Sequence, residues 1–492
     1  MPIPNIPVER SFDPQDTQYD AIVIGAGMSG MAAAIRLGMF DKKVLLLEKH
    51  IISGGLNSYY SRSKIPFDVG LHALTNFAQK KERRRPLTKL LKQLRIPYEE
   101  FKLTEQFKSQ IHFPEVKLGF TNDIDYFIQE IENHFPHEKD NFLKLLEDIK
   151  GFNEVALDNP YQSAKEKLAQ FIRDPLLQEM ILCPLLIYGS AWEMDMDYSQ
   201  FVIMFKSIYL EGFGRPEGGV RTIIQALINK MKEANVEVCY RNGVSEIIVD
   251  NNQVKGVITS RGQTITAPLI LSSAGLPETL GLIPTETKTS TSPTPKTGKM
   301  SFTEAIYITK KKPQLYGNDQ TIVFYNNSEK YNYRCPDQFI DPQSAVLCFP
   351  NNFKYQNNHQ GPFADDFDQG VLRITMMANY DKWNEAKSIG REFYLSEKEK
   401  VNQKSLELLS RHLPHFDPSE ITFKDIFTPT TVERYTGHFG GCVYGSPDKT
   451  RDGSTAYKGL VICGTDQGFL GIIGSMLSGI SMANLYGLMG QQ

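Results

Sequence analysis

The feature that most constrains the fold is a strand, a glycine-rich turn and a helix near the start of the chain. Residues 21–24 form a short apolar run that is typical of a buried parallel strand. Gly25, Gly27 and Gly30 follow at GxGxxG spacing, a helical segment comes next, and a second apolar run ends at Glu48. This order predicts a Rossmann-like sheet that binds a dinucleotide.

Each of these residue types has a physical role in holding a dinucleotide. Gly25 permits the tight turn, Gly27 lets a pyrophosphate approach the backbone, and Gly30 lets the helix pack closely on the strand. The N-terminus of the helix offers unpaired amides to the phosphates, and Glu48 accepts hydrogen bonds from a ribose. An ordinary glycine-rich turn is the alternative interpretation.

A second glycine pair lies just beyond Glu48. Gly54 and Gly55 stand where the chain would pass the diphosphate and ribityl side of a flavin. The stretch resembles the glycine doublet that follows the dinucleotide motif in flavoproteins of the amine oxidase and phytoene desaturase superfamily. This resemblance makes FAD the predicted cofactor in preference to NAD.

The C-terminal segment is long and apolar, with no charged side chain after Asp466. A membrane span needs about 20 predominantly apolar residues with interfacial anchors, whereas this run is diluted by Gly, Ser, Asn and Gln. It resembles the closing flavin motif of the phytoene desaturase family, in which an acidic residue contacts the ribityl or diphosphate region. The following helix would then stabilise negative charge on a reduced flavin. A membrane span and an ordinary buried helix are the alternatives.

Residues 216–275 supply a central part of the resemblance. They are predicted to form a helix, strands joined by a turn at Asn251 and Asn252, and an apolar strand that ends near Ser273. By resemblance, Val244 would flank the adenine, and Ser273 lies where the family's strand returns to the cofactor. Plain core packing is the alternative for Val244.

The stretch "TPTTVERYTGHFGGCVYGSP", residues 428–447, extends the resemblance. It is similar to a Thr-Pro-x-Thr, Arg-Tyr and glycine-rich stretch of carotenoid isomerases, bacterial carotenoid desaturases and retinol saturases. The motif "FDVGLH" after the glycine doublet adds to the match, so the chain is identified as a member of the phytoene desaturase and carotenoid isomerase-like group. It departs from many relatives at residues 465–467, where those have Gly-Asp-Ser and Pro-Gly.

The resemblance implies an α/β fold: a Rossmann-like FAD-binding domain of the glutathione reductase type, with an inserted α+β substrate-binding domain. The predicted segments are a tail (1–18), the FAD-binding domain (19–75, 216–280 and 426–492), a helical substrate or lid region (76–215) and a substrate-binding domain of sheet plus helix (281–425). The implied cofactor contacts are Gly25, Gly27, Ser29, Gly30, Glu48, Lys49, Gly54, Gly55, Leu56, Val244, Ser273, Gly464, Asp466, Gly474 and Ser475.

The predicted function is that of an FAD-dependent oxidoreductase acting on C–C or C=C bonds of a long apolar polyene, as a desaturase, isomerase or saturase. One alternative is a flavoenzyme that desaturates or isomerises fatty acyl chains, free or carrier-bound, and another is a non-catalytic, flavin-bound lipid carrier. No catalytic residue is predicted. His72, Arg434, Tyr435 and His438 belong to motif stretches, but a lone residue of these types is more often structural.

The composition limits which classes of partner and which cellular location are expected. A formal net charge of -3 argues against nucleic-acid binding, which needs many phosphates neutralised. Six scattered cysteines lack zinc spacing and indicate a reducing compartment, and the N-terminus lacks the pattern of an export signal. A cytoplasmic protein is expected, with peripheral membrane contact as an option.

Two further segments leave alternatives open. The basic run at residues 80–96 could contact an anionic membrane surface or an acyl carrier protein, or could be a solvated face that covers the core. The apolar stretch at residues 174–189 could be core or the lining of a tunnel for a long apolar substrate. A Thr/Ser/Pro-rich loop is expected at residues 284–297.

Overall fold

The computed structural model describes residues 11–62, 65–287, 294–355 and 369–490. Residues 1–10 of the expected tail and residues 288–293 of the expected Thr/Ser/Pro-rich loop lie outside the described residues. Two sheets, each with helices packed on it, organise the rest.

The strands of the described residues, in chain order, are β1 (Ala21–Ile24), β2 (Val44–Leu47), β3 (Tyr59–Arg62), β4 (Ile65–Asp68), β5 (Leu103–Glu105), β6 (Ser109–His112), β7 (Lys117–Phe120), β8 (Gly214–Pro216), β9 (Glu237–Cys239), β10 (Val244–Asp250), β11 (Gln253–Thr259), β12 (Thr264–Thr266), β13 (Ile270–Ser272), β14 (Ser301–Thr309), β15 (Ile322–Asn326), β16 (Ser344–Cys348), β17 (Gly370–Ala378), β18 (Ile421–Phe427) and β19 (Leu460–Ile462). The α-helices are α1 (Met28–Gly38), α2 (Pro86–Leu94), α3 (Ile124–His134), α4 (Lys139–Gly151), α5 (Ala164–Ala169), α6 (Pro175–Gly189), α7 (Tyr198–Phe205), α8 (Val220–Glu233), α9 (Leu276–Gly281), α10 (Tyr380–Ile389), α11 (Arg391–His412), α12 (Pro429–Thr436) and α13 (Gly471–Met482).

The first sheet has five parallel strands in the order β19-β13-β1-β2-β9. Its strands come from the N-terminal, central and C-terminal parts of the chain, so distant motifs meet at the edge formed by the carboxyl ends of the strands. Ligands of open α/β sheets bind at this edge. The predicted Rossmann-like α/β fold is confirmed.

Alternation along the strands of the first sheet separates two cores. Val23 and Leu46 pack with α1, α8 and α13 on one face. Ile22 and Leu45 point to the opposite face, where they pack against the antiparallel meander β10-β11-β12. A parallel sheet that is covered on both faces explains why β1, β2 and β19 are apolar at every position.

The second sheet has seven strands in the order β18-β14-β17-β16-β15-β6-β7. Tyr307 of β14 faces α11 and donates a hydrogen bond to Asn402 Oδ1 at 2.9 Å, whereas its neighbour Ile306 packs with Phe67 on the other side. Residues 281–425 contain the strands β14 to β17, most of β18 and the helices α10 and α11. β6 and β7, from the region predicted to be largely helical, complete this sheet at one edge.

Two segments with open interpretations lie in cores. Along α2, Leu87, Leu90, Leu91 and Leu94 are buried in the core beside α1. α6 is buried along most of its length among aromatic side chains of α3, α7 and the second sheet. The structure therefore places α6 in the protein core and leaves only the polar face of α2 exposed.

The C-terminal helix also belongs to a core. By length and composition alone, Gly471–Leu488 could cross a membrane, with a mean hydropathy of 1.2, but half of this segment is buried inside the protein. α13 packs along α1 so closely that a Cβ on Gly479 would overlap the carbonyl oxygen of Ser29. Buried core helices of globular proteins have the same composition, and this packing is of that kind.

Candidate functional site

The glycine-rich turn after β1 is held in one conformation by the neighbouring strand. Gly25 has a φ of +91°, and its N–H donates to Leu47 O at 2.8 Å. The Ser273 hydroxyl donates to Ile24 O at 2.9 Å and to Gly25 O at 3.0 Å. A Cβ on Gly30 would overlap the Gly25 carbonyl oxygen, so α1 can begin here only with glycine at that position.

The second glycine pair lies directly against the first motif. Gly54 has a φ of +121° and donates its N–H to Ala26 O at 2.8 Å, and a Cβ on Gly55 would lie 3.4 Å from Gly27 Cα. Leu56 follows, and its carbonyl contacts Gly70. The two glycine motifs, 30 residues apart in the sequence, thus form one backbone-lined cradle at the carboxyl edge of the first sheet.

Glu48 lies at the side of this cradle. One carboxylate oxygen accepts a hydrogen bond from Ala26 N and the other from His50 N, both at 2.7 Å. Burial raises the pKa of Glu48, although both hydrogen bonds oppose that shift. Because the backbone already uses both oxygens, contact between Glu48 and a ribose stays a prediction.

Lys49 and the two residues that precede Val244 lie next to Glu48. A Cβ on Gly243 would lie 2.8 Å from Lys49 Cβ, and the Lys49 amine lies against Gly437, which follows α12. Burial lowers the pKa of Lys49. The structure therefore brings the glycine-rich stretch at residues 428–447 to the same side of the cradle as the end of β2.

Asp466 joins three segments at the other side of the cradle. Its Oδ2 accepts a hydrogen bond from Leu276 N at 2.6 Å. Its Oδ1 accepts one from Ser446 N at 2.8 Å and lies 3.2 Å from Lys449 Nζ. The carboxylate is buried, so these donors replace the water it has lost. Direct contact with a ribityl hydroxyl stays a prediction.

The C-terminal glycine segment closes on the N-termini of two helices. A Cβ on Gly464 would lie 2.7 Å from the hydroxyl of Ser29 at the start of α1. A Cβ on Gly471, the first residue of α13, would lie 2.9 Å from the Thr75 hydroxyl. Gly474 and Ser475 follow in the first turns of α13, so its unpaired N-terminal amides face this region.

Two buried polar atoms near Asp466 test whether a dinucleotide fits. Within the described part of the chain, Glu278 Oε2 has no hydrogen-bond partner, and His438 Nδ1 has none closer than Glu278 Oε1 at 3.5 Å. Glu278 Oε2 lies against Gly275, where a Cβ would be 3.5 Å from Asp466 Oδ2. A cradle of glycine backbone beside unpartnered polar atoms fits a ligand with phosphates and hydroxyl groups. When bound there, a flavin dinucleotide supplies hydride and electron transfer.

A buried polar network lies between the two sheets, beyond the glycine doublet. His72 Nε2 is 3.0 Å from the Thr375 hydroxyl and 3.3 Å from Glu304 Oε1, and its Nδ1 is 3.3 Å from the Tyr188 hydroxyl. Arg373 pairs with Glu304 and donates to Leu71 O at 2.6 Å. The network fixes the segment that leads to Thr75 and the N-terminus of α13.

The charges of this network follow from burial and pairing. Burial lowers the pKa of His72, which keeps the imidazole neutral near pH 7. Burial alone would raise the pKa of Glu304, but Arg373 and His72 together outweigh it through their charges and hydrogen bonds and hold the pKa below its usual value. A neutral imidazole that donates from Nε2 to Glu304 can accept from Tyr188 at Nδ1.

Sequence reasoning missed most of this network. Glu304 and Arg373 are the single charged residues of the strands β14 and β17, which is a signal that could have identified them. The other candidates lie elsewhere: Tyr435 is half exposed and touches His50 edge-on, Arg434 lies over the Tyr435 ring, and His438 lies 3.5 Å from Glu278. Among the described residues, no group of side chains could hold a metal ion.

Similarity to known proteins agrees with this geometry. Residues 23–94 match the family model described as an NAD(P)-binding Rossmann-like domain. The chain is 24% identical to the chloroplastic prolycopene isomerase of Arabidopsis thaliana, over 96% of this chain and 83% of that protein. It is 22% identical to the all-trans-retinol 13,14-reductase of Danio rerio, over 96% of this chain and 86% of that protein.

The fold is shared with solved structures. The crystal structure of an oxidoreductase from Methanosarcina mazei has a TM-score of 0.64 and 16% identity, and covers 94% of this chain and 99% of its own. The match runs through both sheets and not only through the dinucleotide motif. These similarities support an enzyme of the flavin-dependent oxidoreductase type, which is similar over nearly its whole length to a carotenoid isomerase and a retinol reductase.

Proposed function

We propose that this enzyme binds FAD and acts on C–C or C=C bonds of a long apolar polyene. The observation that carries the proposal is the cradle at the carboxyl edge of the first sheet. There Gly25–Gly30, Gly54–Gly55 and Gly464–Asp466 converge from distant parts of the chain. Three glycine-built walls suit an extended ligand with a diphosphate and a flat ring system better than a single mononucleotide.

The names of the relatives support the substrate class. One relative is a prolycopene isomerase and another an all-trans-retinol 13,14-reductase, and each match covers nearly the whole of this chain. Isomerisation requires no net change of electrons, whereas reduction of a double bond consumes two. The proposal therefore fixes the kind of substrate and leaves the direction of the reaction to experiment.

In this proposal, the chain's own residues bind and orient the reactants. Amides at the start of α1 hold phosphate oxygens, and the N-terminus of α13 favours negative charge beside it. The pairing of Asp466 with Lys449 keeps the C-terminal motif closed without leaving a net charge in the site. Arg373 and Glu304 hold the segment from Val69 to His72 in place, and the surrounding aromatic core excludes water.

The test begins with the absorption spectrum of the purified protein after addition of FAD. The protein is then mixed, without oxygen, with solubilised carotenoids, retinoids and polyunsaturated acyl lipids, in separate reactions with oxidised and with reduced flavin. Products are identified by chromatography and mass. A mass loss of two hydrogens with flavin bleaching means desaturation, and a mass gain from reduced flavin means saturation. An unchanged mass with altered geometry means isomerisation.

Three results would contradict the proposal. Failure to bind FAD would remove the cofactor assignment, and reaction with acyl lipids but not polyenes would replace the substrate class. Bound FAD that neither substrate nor a mild reductant can change would favour a carrier of lipids. A cytosolic location with at most peripheral membrane contact belongs to the same proposal, and fractionation of cells expressing the protein tests it.

A further inference from the structure

A cleft opens beside the C-terminal glycine segment, outside the cradle. It is a small cleft of about 40 Å³, open to solvent on one side, and lies between the turn that follows Gln467 and the segment that follows α4. Its apolar walls include Leu157, Tyr161, Trp192 and Phe469. Because Phe469 lies two residues before the start of α13, the cleft leads from the surface to the region where the C-terminal helix begins.

The cations that line the cleft are already paired. Arg451 donates to Asp197 Oδ2 at 2.9 Å and lies over the Tyr161 ring at 4.3 Å. Lys449 Nζ lies 3.2 Å from the buried carboxylate of Asp466. A ligand carboxylate would have to compete with these pairs for its counter-charge, so the cleft favours a neutral ligand.

One buried amide in the wall lacks a partner. Gln200 lies in the apolar helix α7 and is only 7% exposed, yet its Nε2 has no hydrogen-bond partner among the described residues. A Cβ on Gly468 would lie 3.7 Å from this nitrogen, so the amide faces the turn before α13. A buried donor without an acceptor is costly, and a ligand oxygen at this point would remove the cost.

We propose that this cleft binds the oxygen-bearing end of the substrate, and that Gln200 Nε2 donates a hydrogen bond to a neutral alcohol or carbonyl oxygen. The proposal rests on the proposed function and narrows its substrate class from polyenes in general to polyenes with a polar end group. Val155 and Leu157 are 55% and 62% exposed at the outer rim, where an apolar chain would enter.

The experiment compares ligands that differ only at the end group. All-trans-retinol, the hydrocarbon with a methyl group in place of its CH₂OH, and all-trans-retinoic acid are titrated separately. Binding is followed by quenching of tryptophan fluorescence. The chain has two tryptophans, and Trp192 lines the cleft, so the Trp192→Phe variant reports any quenching that arises elsewhere. We expect the alcohol to bind roughly three- to tenfold more tightly than the hydrocarbon.

The Gln200→Met variant keeps the size of the side chain and removes the amide. It is expected to bind the alcohol and the hydrocarbon with equal affinity. The control variant Gln170→Met makes the same substitution at an exposed residue and should still bind the alcohol more tightly than the hydrocarbon. Equal affinities in the unaltered protein, tightest binding of the carboxylate, or an unchanged preference in Gln200→Met would overturn the proposal. If Gln200→Met fails to fold, the ligand comparison on the unaltered protein still decides the proposal.

This test is independent of turnover. Ligand binding needs no flavin chemistry, so a protein that discriminates the alcohol but transforms no polyene contradicts the proposed function and supports the cleft. A protein that transforms carotenoid hydrocarbons and shows no preference for the alcohol supports the function and overturns the cleft assignment.

Discussion

The cradle of the first sheet and the polar network between the sheets are built in opposite ways. The cradle is made of backbone, and its shape depends on the absence of side chains at Gly25, Gly30 and Gly54. The network is made of side chains, with His72, Glu304 and Arg373 brought together from three distant segments. The cradle leaves open a backbone-lined space in which we propose that the cofactor binds, whereas the network pairs its charges with one another inside the protein.

The difference predicts two kinds of sensitivity. Adding a single methyl group should damage the cradle, whereas removing a charge should damage the network. An added Cβ meets backbone that cannot move away, and a charge left alone in the interior has no water to replace its partner. Substitutions matched to each region therefore test whether the comparison is correct.

The largest effect is expected when the buried ion pair is broken. Arg373→Met leaves Glu304 in the core without its main counter-charge, and Glu304→Gln leaves the guanidinium without one. Each variant should lower the free energy of unfolding by about 3–5 kcal/mol, measured by urea denaturation. The double variant should lose less than the sum of the two, because it leaves neither charge unpaired. Additive losses would show that the two side chains are not coupled.

A methyl group in the cradle should have the next largest effect. In Gly30→Ala, the new Cβ would overlap the Gly25 carbonyl oxygen and lie 2.9 Å from the Ser273 hydroxyl. We expect a loss of about 2 kcal/mol in the free energy of unfolding, together with weaker flavin retention, measured as the ratio of flavin to protein absorbance.

Gly151→Ala is the matched control, since no atom lies within 4 Å of the Cβ it would add at the end of α4. That variant should retain flavin as the unaltered protein does. Equal retention in Gly30→Ala would contradict the role assigned to the glycine turn.

The cradle and the network also differ in how much of each could be predicted from the sequence. The cradle depends on motifs that are contiguous in the chain, so the spacing of Gly25, Gly27 and Gly30 was enough to predict the first strand, turn and helix. The convergence of Ser273 and Asp466 on this turn needed the family resemblance, because nothing local indicates which strands become neighbours. The parallel order of the first sheet then places both at one edge.

The network depended on information that no local pattern contains. Glu304 pairs with Thr375 in register across β14 and β17, and Arg373 lies two residues further along. That register is set by tertiary packing of strands separated by β15 and β16 in the sequence. The unpartnered amide of Gln200 could not be predicted from the sequence either. Its lack of a hydrogen-bond partner depends on the tertiary packing that places it opposite Gly468.

A smaller effect on the free energy of unfolding is expected at the far edge of the second sheet, where His112 of β6 lies. Burial lowers the pKa of His112 to about 4, with added repulsion from His412, 3.1 Å away, and from Lys117. Between pH 6.5 and 4, the unfolded chain binds the extra proton and the folded chain does not, so stability falls as the pH is lowered through this window.

Since His112 is partly exposed, we allow for solvent screening and expect a contribution of about 1 kcal/mol. Urea denaturation of the His112→Gln variant should show a correspondingly smaller loss between pH 6.5 and 4. A variant that loses as much stability as the unaltered protein would assign the acid sensitivity to other groups.

The smallest effect on folding is expected in the exposed basic turn before α2, which tests the contact proposed for residues 80–96. The leucines of α2 are buried beside α1, whereas Arg83 and Arg84, in the turn before α2, are exposed and can meet an anionic partner. The Arg83→Glu/Arg84→Glu double variant should change the free energy of unfolding by no more than about 0.5 kcal/mol.

The same variant should lose binding to phosphatidylserine-containing vesicles in low salt, because each basic residue near such a surface contributes about 1 kcal/mol. Lys387→Glu/Arg391→Glu, on the exposed faces of α10 and α11, changes the net charge equally and serves as the control. An equal loss of vesicle binding in both variants would show that binding depends on the overall charge of the protein and not on Arg83 and Arg84. No vesicle binding by the unaltered protein, but pull-down of an acyl carrier protein that depends on Arg83 and Arg84, would identify the carrier as the partner. Binding of neither would leave this face as the solvated cover of a core whose stability comes from the leucines beneath it.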